Sequence, residues 1–312
     1  MNTIRIISRK SPLALWQADA VAGALRQAHP TLTVEIIGIT TEGDRLLDRR
    51  LADYGGKGLF IKELEHRLLD GSADIAVHSM KDVTTTLPPG LSIPVILARE
   101  DPRDALVAPG YTEINALPTG ARIGTSSLRR QCQLSASRGD LRIESVRGNV
   151  GTRLSKLDAG DYDALVLASA GLQRLGLAQR ITTVLEVDAM LPAVGQGAIG
   201  VQCREDDGPV LDVIGVLDDL TTHLAVRAER AFTEMLDGGC HAPIGGYAVV
   251  HEQTIQLTGL VGRTDGSEIL RDDVEGEITS PEQLGRALAE KLLHRGAGKI
   301  LASLESPKDG ER

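Results

Sequence analysis

Three segments of the sequence combine residue types that bind carboxylates with the predicted start of a helix. In segments 7–12, 124–130 and 145–153, a strand pattern runs into a polar turn with basic residues and then into a helix pattern. Free N–H groups and the positive end of the dipole make each helix start a site for an anion. One capped helix start is usually structural, but three of them predict a shared anion site at the carboxyl ends of the strands.

A carboxylate lies at the end of another predicted strand. The segment 78–82, His-Ser-Met-Lys-Asp, follows a short buried strand pattern at 74–77. Polar residues at such a strand end point toward a cleft, so Asp82 is expected in cationic surroundings. A carboxylate there can stabilise a positive charge or move a proton. A plain surface ion pair between Lys81 and Asp82 is the alternative on the sequence alone.

One of the three cysteines has the setting of a reactive thiol. Cys240 follows two glycines after a long helix pattern, and an accessible loop thiol can act as a nucleophile. Cys132 and Cys203 are expected to be inert core residues. His241 has no second ligand at metal spacing, so no metal site is predicted.

Segment 195–200 matches the dinucleotide fingerprint G-x-G-x-x-G, which would indicate a nicotinamide dehydrogenase. That fingerprint binds a dinucleotide only between a strand and the helix that the strand opens. Here Pro192 precedes the segment and a strand pattern at 200–203 follows it. The sequence therefore argues against a dinucleotide site.

The charge composition favours a small anionic ligand over a nucleic acid or a membrane surface. The net charge is −9 and aromatic residues make up 2% of the chain. Of the 34 basic residues, 26 are arginines, the side chain that binds carboxylates with a two-pronged fork. Segment 121–156 has eight basic residues against Asp140 and Glu144. A solvated basic face is the alternative for that segment.

The sequence shows no sign of export or of a membrane span. Its first residues lack a long apolar core with a small-residue cleavage site, and no apolar run approaches the ~20 residues that a bilayer requires. The three cysteines lack C-x-x-C spacing and fit reduced thiols. We therefore expect a cytoplasmic protein with no nucleic-acid or membrane partner.

Alternating strand and helix patterns predict an α/β fold in three parts. The first lobe is expected to span 1–98 and 198–216, the second 103–192, and a smaller third domain 220–312. The charged link 99–103 and the Gly/Pro-rich segment 190–200 are predicted crossings between the lobes, and the first of them is expected to be an exposed hinge. In the third domain, segments 247–251, 254–261 and 268–274 predict an antiparallel meander, and Ser280 is the predicted cap of a closing helix at 284–293.

Eight motifs together resemble one family, porphobilinogen deaminase, also called hydroxymethylbilane synthase. They are SRKSPLALWQ at 8–17, GGKGLF at 55–60, HSMKDV at 78–83, REDPRDA at 99–105, GTSSLRR at 124–130, RGNVGTR at 147–153, LPAVGQG at 191–197 and GGC at 238–240. The resemblance runs in order from the first strand to at least Pro243.

The resemblance implies a transferase that condenses four porphobilinogen molecules head to tail, with loss of ammonia, into linear hydroxymethylbilane for tetrapyrrole and heme biosynthesis. It implies a monomer whose dipyrromethane cofactor is joined to Cys240 by a thioether, with Asp82 as the catalytic acid group. The residues implied to bind the cofactor are Lys81, Ser11, Thr125, Ser127, Arg129, Arg130, Arg147 and Gly148. Those implied to bind substrate are Arg9, Arg153, Arg174 and Gln17, with Lys57 and Phe60 on a loop over the active site.

The implied fold has two lobes like those of periplasmic binding proteins, with mixed sheets and a double crossing, and a third α+β domain that carries the cysteine loop. Three positions depart from the family pattern: Asp53, often basic, Thr84, where a proline is common, and His241, where another polar residue is usual. The alternative function is a cytoplasmic anion- or effector-binding module of the same two-lobed fold, which gives no role to Cys240.

Overall fold

The computed structural model of the protein describes residues 1–41, 61–237 and 242–305. Its strands, in chain order, are β1 (Thr3–Arg9), β2 (Thr33–Ile39), β3 (Ile75–Ser79), β4 (Leu91–Ile96), β5 (Asp104–Val107), β6 (Arg122–Gly124), β7 (Arg142–Glu144), β8 (Ala164–Ala168), β9 (Thr183–Leu185), β10 (Ile199–Arg204), β11 (Ile244–His251), β12 (Thr254–Gly262) and β13 (Ile269–Glu277). The helices are α1 (Pro12–Ala28), α2 (Lys62–Leu69), α3 (Leu128–Ser137), α4 (Val150–Asp158), α5 (Ser169–Arg174), α6 (Gly208–Ile214), α7 (Leu220–Met235), α8 (Pro281–His294) and α9 (Ala297–Glu305).

The strands form two five-stranded mixed sheets and one three-stranded antiparallel sheet. The first sheet has the order β2-β1-β3-β10-β4 and the second the order β7-β6-β8-β5-β9. In each, three parallel strands are followed by an antiparallel one, β10 in the first sheet and β5 in the second. This arrangement confirms the predicted α/β class with two mixed-sheet lobes and a small antiparallel third sheet.

The chain passes between the two mixed sheets twice. The first crossing, residues 97–103, joins β4 to β5, and the second crossing, residues 186–198, joins β9 to β10. Each antiparallel strand therefore starts at a crossing, beside the carboxyl end of a parallel strand: Ile199 pairs with Ser79, and Asp104 pairs with Ala168. The carboxyl ends of the parallel strands in both sheets thus meet at the two crossings.

Hydrophobic periodicity explains why these segments form these elements. Strand β1 buries Ile4 and Ile6 on one face of its sheet, and α1 buries Ala18, Val21 and Leu25 at helical spacing against them. The predicted limits of the three domains stay a prediction. Each sheet takes all its strands from one of the three predicted domains.

The third sheet is covered by α7 and α8, with Phe232 of α7 fully buried at the centre. The predicted meander is confirmed. Ser280 occupies the predicted N-cap position of α8, although its hydroxyl makes no cap hydrogen bond. Helix α9 was not predicted. Among residues 1–41, 61–237 and 242–305, no helix has the length and apolar character needed to cross a bilayer.

The first crossing is less exposed than the sequence predicted. Its residues 99–103 are partly buried and their charges are paired. Arg99 contacts Glu229 of α7 and lies with its guanidinium carbon 4.9 Å from the Tyr247 ring centre, and Asp101 pairs with Arg103. The connection is therefore fixed to the third sheet rather than free in solvent.

The contact between α7 and α8 gives a stability test with a matched control. A Cβ at position 285 would lie 2.3 Å from Ala228 O and 2.7 Å from Phe232 N, so Gly285→Ala must push the two helices apart. We expect it to lower the free energy of unfolding by about 1–3 kcal/mol in chemical denaturation. Gly23→Ala on α1 meets no atom within 4 Å and should raise it by about 0.5–1 kcal/mol. Equal effects of the two changes would contradict the described packing.

Candidate active site

Each of the three predicted helix starts is capped as the anion-site prediction requires. Ser11 accepts a hydrogen bond from Ala14 N at 3.3 Å, and Ser127 accepts one from Arg130 N at 3.4 Å. At the third start, Asn149 accepts one from Thr152 N at 2.9 Å. These side chains hold the first turns of α1, α3 and α4 in place at the carboxyl ends of β1, β6 and β7.

The turn that carries Asp82 directly follows β3. Residues 80–82 form a single 3-10 turn, and Met80 N donates to Ala198 O in the second crossing at 3.0 Å. Gln17, predicted to contact substrate, is 2% exposed and donates through its side-chain amide to Ser79 Oγ at 2.7 Å. Gln17 therefore supports the end of β3. Asp82 itself is exposed.

Lys81 and Arg153 connect this turn electrostatically with the second sheet. Burial lowers the pKa of Lys81 to about 8, while the Asp82 carboxylate opposes that shift. Burial also lowers the pKa of Arg153 to about 10, with Arg130 and Arg147 adding to the shift and Asp82 opposing it. Asp82 therefore acts on a cation of its own turn and on a cation of α4 across the two sheets.

Arg9 belongs to the same surroundings. It ends β1, and its charge contributes to lowering the pKa of His78, which burial chiefly drives to about 4. The His78 ring hydrogen-bonds Gln202 Oε1 through Nε2 at 2.8 Å, and Asp82 acts on the ring in the opposite sense to Arg9. His78 is thus a neutral, buried neighbour of Arg9 and Asp82, which the sequence analysis did not assign to the site.

Arg147, Gly148 and Arg153 are held by the turn that opens α4. Gly148 has a φ of 110°, a conformation that favours glycine, and a Cβ there would lie 2.6 Å from the Thr152 side chain. Arg153 donates through Nε to Gly148 O at 2.8 Å, and Lys156 donates to Arg147 O at 3.3 Å. The turn thereby fixes the approach of α4 to Asp82.

Arg129 and Arg130 are less accessible than a ligand-binding role alone would suggest. They are 3% and 6% exposed, and both pair with Asp104, which is fully buried at the start of β5. The distances are 2.8 Å from Arg129 Nη1 to Asp104 Oδ2 and 2.7 Å from Arg130 Nη2 to Asp104 Oδ1. Burial opposes the charged carboxylate, but the two guanidinium groups outweigh it and hold the pKa of Asp104 well below its usual range.

Sequence reasoning missed Asp104 and its partner Gln196. Gln196, in the second crossing, donates to Asp104 Oδ1 at 2.9 Å and to Pro102 O at 2.6 Å. The signal available in the sequence was a charged residue at the head of a wholly apolar strand, which requires a buried partner. Asp104 also acts on the pKa of Lys81, so it belongs to the same charged cluster as Asp82.

Two further predicted residues have structural partners. Thr125 is 4% exposed and its hydroxyl accepts from Ser127 N at 3.2 Å. Arg174 lies at the crossings, where it donates to Glu100 Oε2 at 3.0 Å and to Gly197 O at 2.8 Å. Its guanidinium carbon is 5.6 Å from the ring centre of Trp16 on α1. Cys240, Lys57 and Phe60 lie outside the described residues, as do Asp53 and His241.

The pKa of Lys81 can be measured by its reactivity toward an amine-acylating reagent. We expect the labelling of Lys81 in the folded protein to rise with a midpoint near pH 8, and in denaturant near the ordinary value of 10.5. Asp82→Asn removes the carboxylate that favours the ammonium form, so the midpoint should fall below that of the unchanged protein. An unchanged midpoint in the Asp82→Asn variant would show that Asp82 does not act on the pKa of Lys81.

Comparison with known proteins gives family matches over two segments. Residues 4–212 match the model described as porphobilinogen deaminase, dipyromethane cofactor binding domain, and residues 223–294 match the model described as porphobilinogen deaminase, C-terminal domain. Together the two models match most of the chain.

Solved structures with a similar arrangement include several binding proteins. A putative methionine-binding lipoprotein from Bacillus subtilis is 11% identical, with a TM-score of 0.43 over 69% of this chain and 90% of that chain. The methionine binding protein MetQ is 13% identical, with a TM-score of 0.44 over 68% and 88%. The periplasmic aliphatic sulphonate binding protein SsuA from Escherichia coli is 15% identical, with a TM-score of 0.39 over 75% and 74%.

The family matches include both mixed sheets, the Asp82 turn, the three capped helix starts and most of the third sheet with α7 and α8. The first model is itself named for the binding of the cofactor. The chain therefore belongs to the porphobilinogen deaminase family, the hydroxymethylbilane synthases, which are transferases with a dipyrromethane cofactor.

Proposed function

We propose that the protein condenses four porphobilinogen molecules head to tail into linear hydroxymethylbilane for tetrapyrrole and heme biosynthesis. Four porphobilinogen molecules and one water give one hydroxymethylbilane and four molecules of ammonia. The observation that carries the proposal is the match of residues 4–212 and 223–294 to the two porphobilinogen deaminase domains. The structure agrees with it, because the exposed Asp82 lies at the carboxyl end of β3 and acts on Lys81 and Arg153. A carboxylate opposite a group of cations is what this condensation requires of a protein.

The chemistry of the donor groups around Asp82 fits a ligand with several carboxylates. Every porphobilinogen unit carries an acetate and a propionate, so the dipyrromethane and the growing chain are polyanions. We assign their carboxylates to Arg9, Lys81, Arg147 and Arg153, with the capped turns at Ser11, Ser127 and Gly148 supplying further donors. Arg129 and Arg130 add positive charge beneath these groups, and Thr125 holds the turn that leads to α3.

Arg129 and Arg130 carry fixed positive charge rather than donors that a ligand can reach. The Nε atoms of both side chains are buried and have no hydrogen-bond partner within the described part of the chain. Their Nη groups pair with Asp104, which fixes both guanidinium planes. Such fixed charges stabilise a nearby anion without the cost of reorientation.

Asp82 is the group that we assign to the chemistry. The dipyrromethane, when bound, supplies the pyrrole carbon to which the first substrate unit is joined. Asp82 is exposed at a strand end, and its carboxylate can accept hydrogen bonds from pyrrole N–H groups and stabilise positive charge there. Lys81, Arg153 and His78 set the electrostatic surroundings of this carboxylate.

Cys240 is the cysteine that we assign to the thioether, and the other two cysteines support that choice. Cys132 and Cys203 are fully buried, and burial raises the pKa of their thiols to about 12 and about 11. Neither can form the thiolate that a sulfur nucleophile requires at neutral pH. A thioether resists hydrolysis, so a cofactor attached in this way survives release of the product.

We assign Lys57, Phe60, Gln17 and Arg174 secondary roles in holding substrate or the elements around it. A monomer in the cytoplasm, without nucleic-acid or membrane partner, completes the proposal. The family assignment favours the transferase over the alternative of an anion- or effector-binding module, which leaves Cys240 without a role.

The cofactor attachment can be tested by intact-mass spectrometry of the purified protein. We expect a mass excess equal to two linked pyrrole units, because the thioether survives purification. Cys240→Ala should remove the excess, whereas Cys203→Ala, at a buried thiol, should retain it. Excess mass in the Cys240 variant would place the attachment elsewhere.

The catalytic assignment can be tested with Asp82→Asn, which keeps the size of the side chain and removes its charge. We expect turnover of porphobilinogen to fall by about 100-fold or more in a variant that keeps its fold, because Asp82 is exposed and its replacement leaves no space in the core. The measurement is the rate of hydroxymethylbilane formation by protein that retains its cofactor mass. Near-native turnover would refute the assignment.

A further inference from the structure

The turn that carries Asp82 is held differently on its two sides. On the side of β3, the strand pairs with β1 and β10, and Met80 N bonds Ala198 O. Met80 is also packed closely, since a Cβ at Gly195 would lie 2.7 Å from Met80 Cβ. On the other side, residues 83–89 form no helix or strand. The position of Asp82 therefore depends on what fixes this irregular segment.

Helix α7 lies along the irregular segment and contacts it at two successive turns. Val226 packs in one buried cluster with Met80 and Val83. One helical turn later, Arg230 donates through Nη2 to Thr84 O at 2.8 Å and to Thr85 O at 3.0 Å. A third contact, from Arg230 Nη1 to Val83 O, is 3.5 Å long. The planar guanidinium thus joins consecutive carbonyls directly after Asp82.

The same helix is fixed to both crossings through the residue next to Arg230. Glu229 is fully buried, and its carboxylate accepts from Arg99 in the first crossing and from Gly195 N in the second at 2.7 Å. It also accepts from Ala248 N of β11 at 2.8 Å. Helix α7 is therefore fixed to both crossings and to the third sheet at the same turn from which Arg230 contacts the Asp82 segment.

We propose that Arg230 is a positioning residue, which fixes the Asp82 turn against α7. The inference rests on the proposed function of Asp82 and adds a residue that sets the position of its carboxylate. The restraint acts on the Thr84 and Thr85 carbonyls, directly after the Asp82 turn, where the backbone belongs to no helix or strand.

The test compares Arg230→Met with Arg227→Met. Both changes remove a guanidinium from α7, but Arg227 is exposed and pairs with Glu282 of α8 at 2.6 Å, away from the Asp82 turn. We expect Arg230→Met to lower kcat for porphobilinogen about tenfold or more, because small misplacements of a catalytic group are costly. KM and the cofactor mass should stay near their original values. Arg227→Met should change none of these quantities.

Two measurements separate positioning from a general loss of structure. Amide hydrogen exchange in segment 83–87 should become faster in Arg230→Met and stay unchanged in Arg227→Met, while the β11–β13 sheet keeps its protection in both. Arg230→Lys, which keeps a cationic donor, should recover part of kcat. Unchanged turnover in Arg230→Met, or faster exchange throughout the third sheet, would overturn the inference.

The Asp82→Asn variant and the cofactor mass test the proposed function independently of Arg230. An active Asp82→Asn variant, or unmodified protein without the cofactor mass, contradicts the proposed function whatever Arg230 does. An inactive Asp82→Asn variant beside a fully active Arg230→Met variant contradicts only the positioning role.

Discussion

The concentration of positive charge between two sheets of an acidic protein is the constraint on which this structure depends. Like charges in a partly dry space repel, and each must be matched or withdrawn from solvent at a cost. The protein matches Arg129 and Arg130 with the buried Asp104, and it places Asp82 where it acts on Lys81 and Arg153. The concentration of arginine and lysine side chains around Asp82 suits a ligand with several carboxylates.

The two crossings hold the charged cluster in place through hydrogen bonds. Asp104 begins the strand that follows the first crossing, and Gln196 of the second crossing donates to it. Glu229 of α7 and Arg174 of α5 each contact both crossings as well. The charged cluster and the connection between the sheets are thus one hydrogen-bonded unit. A shift of one sheet against the other alters the surroundings of the site.

The parts that could be predicted from the sequence are those decided by a few neighbouring residues. The caps at Ser11 and Ser127, the meander of the third sheet and the burial of Cys132 and Cys203 follow from local chemistry and apolar patterning. Ser280 shows the limit of local reasoning, because it reaches the cap position without making the cap hydrogen bond. The partners of Asp104, Glu229 and Arg230 could not be predicted, since each depends on how distant segments pack. The exposed hinge was predicted from Pro102 and the clustered charges around it, and the structure pairs those charges.

Trp16 is the one tryptophan of the sequence, and it lies on α1 beside Arg174 of α5. The indole and the guanidinium belong to helices that follow strands of different sheets, so their contact exists only while those sheets keep their present relation. The stacked cation is an electrostatic perturbation on the indole. The protein therefore contains a single indole at a contact between its two mixed-sheet lobes, and selective excitation of that indole can report on their relation without an attached dye.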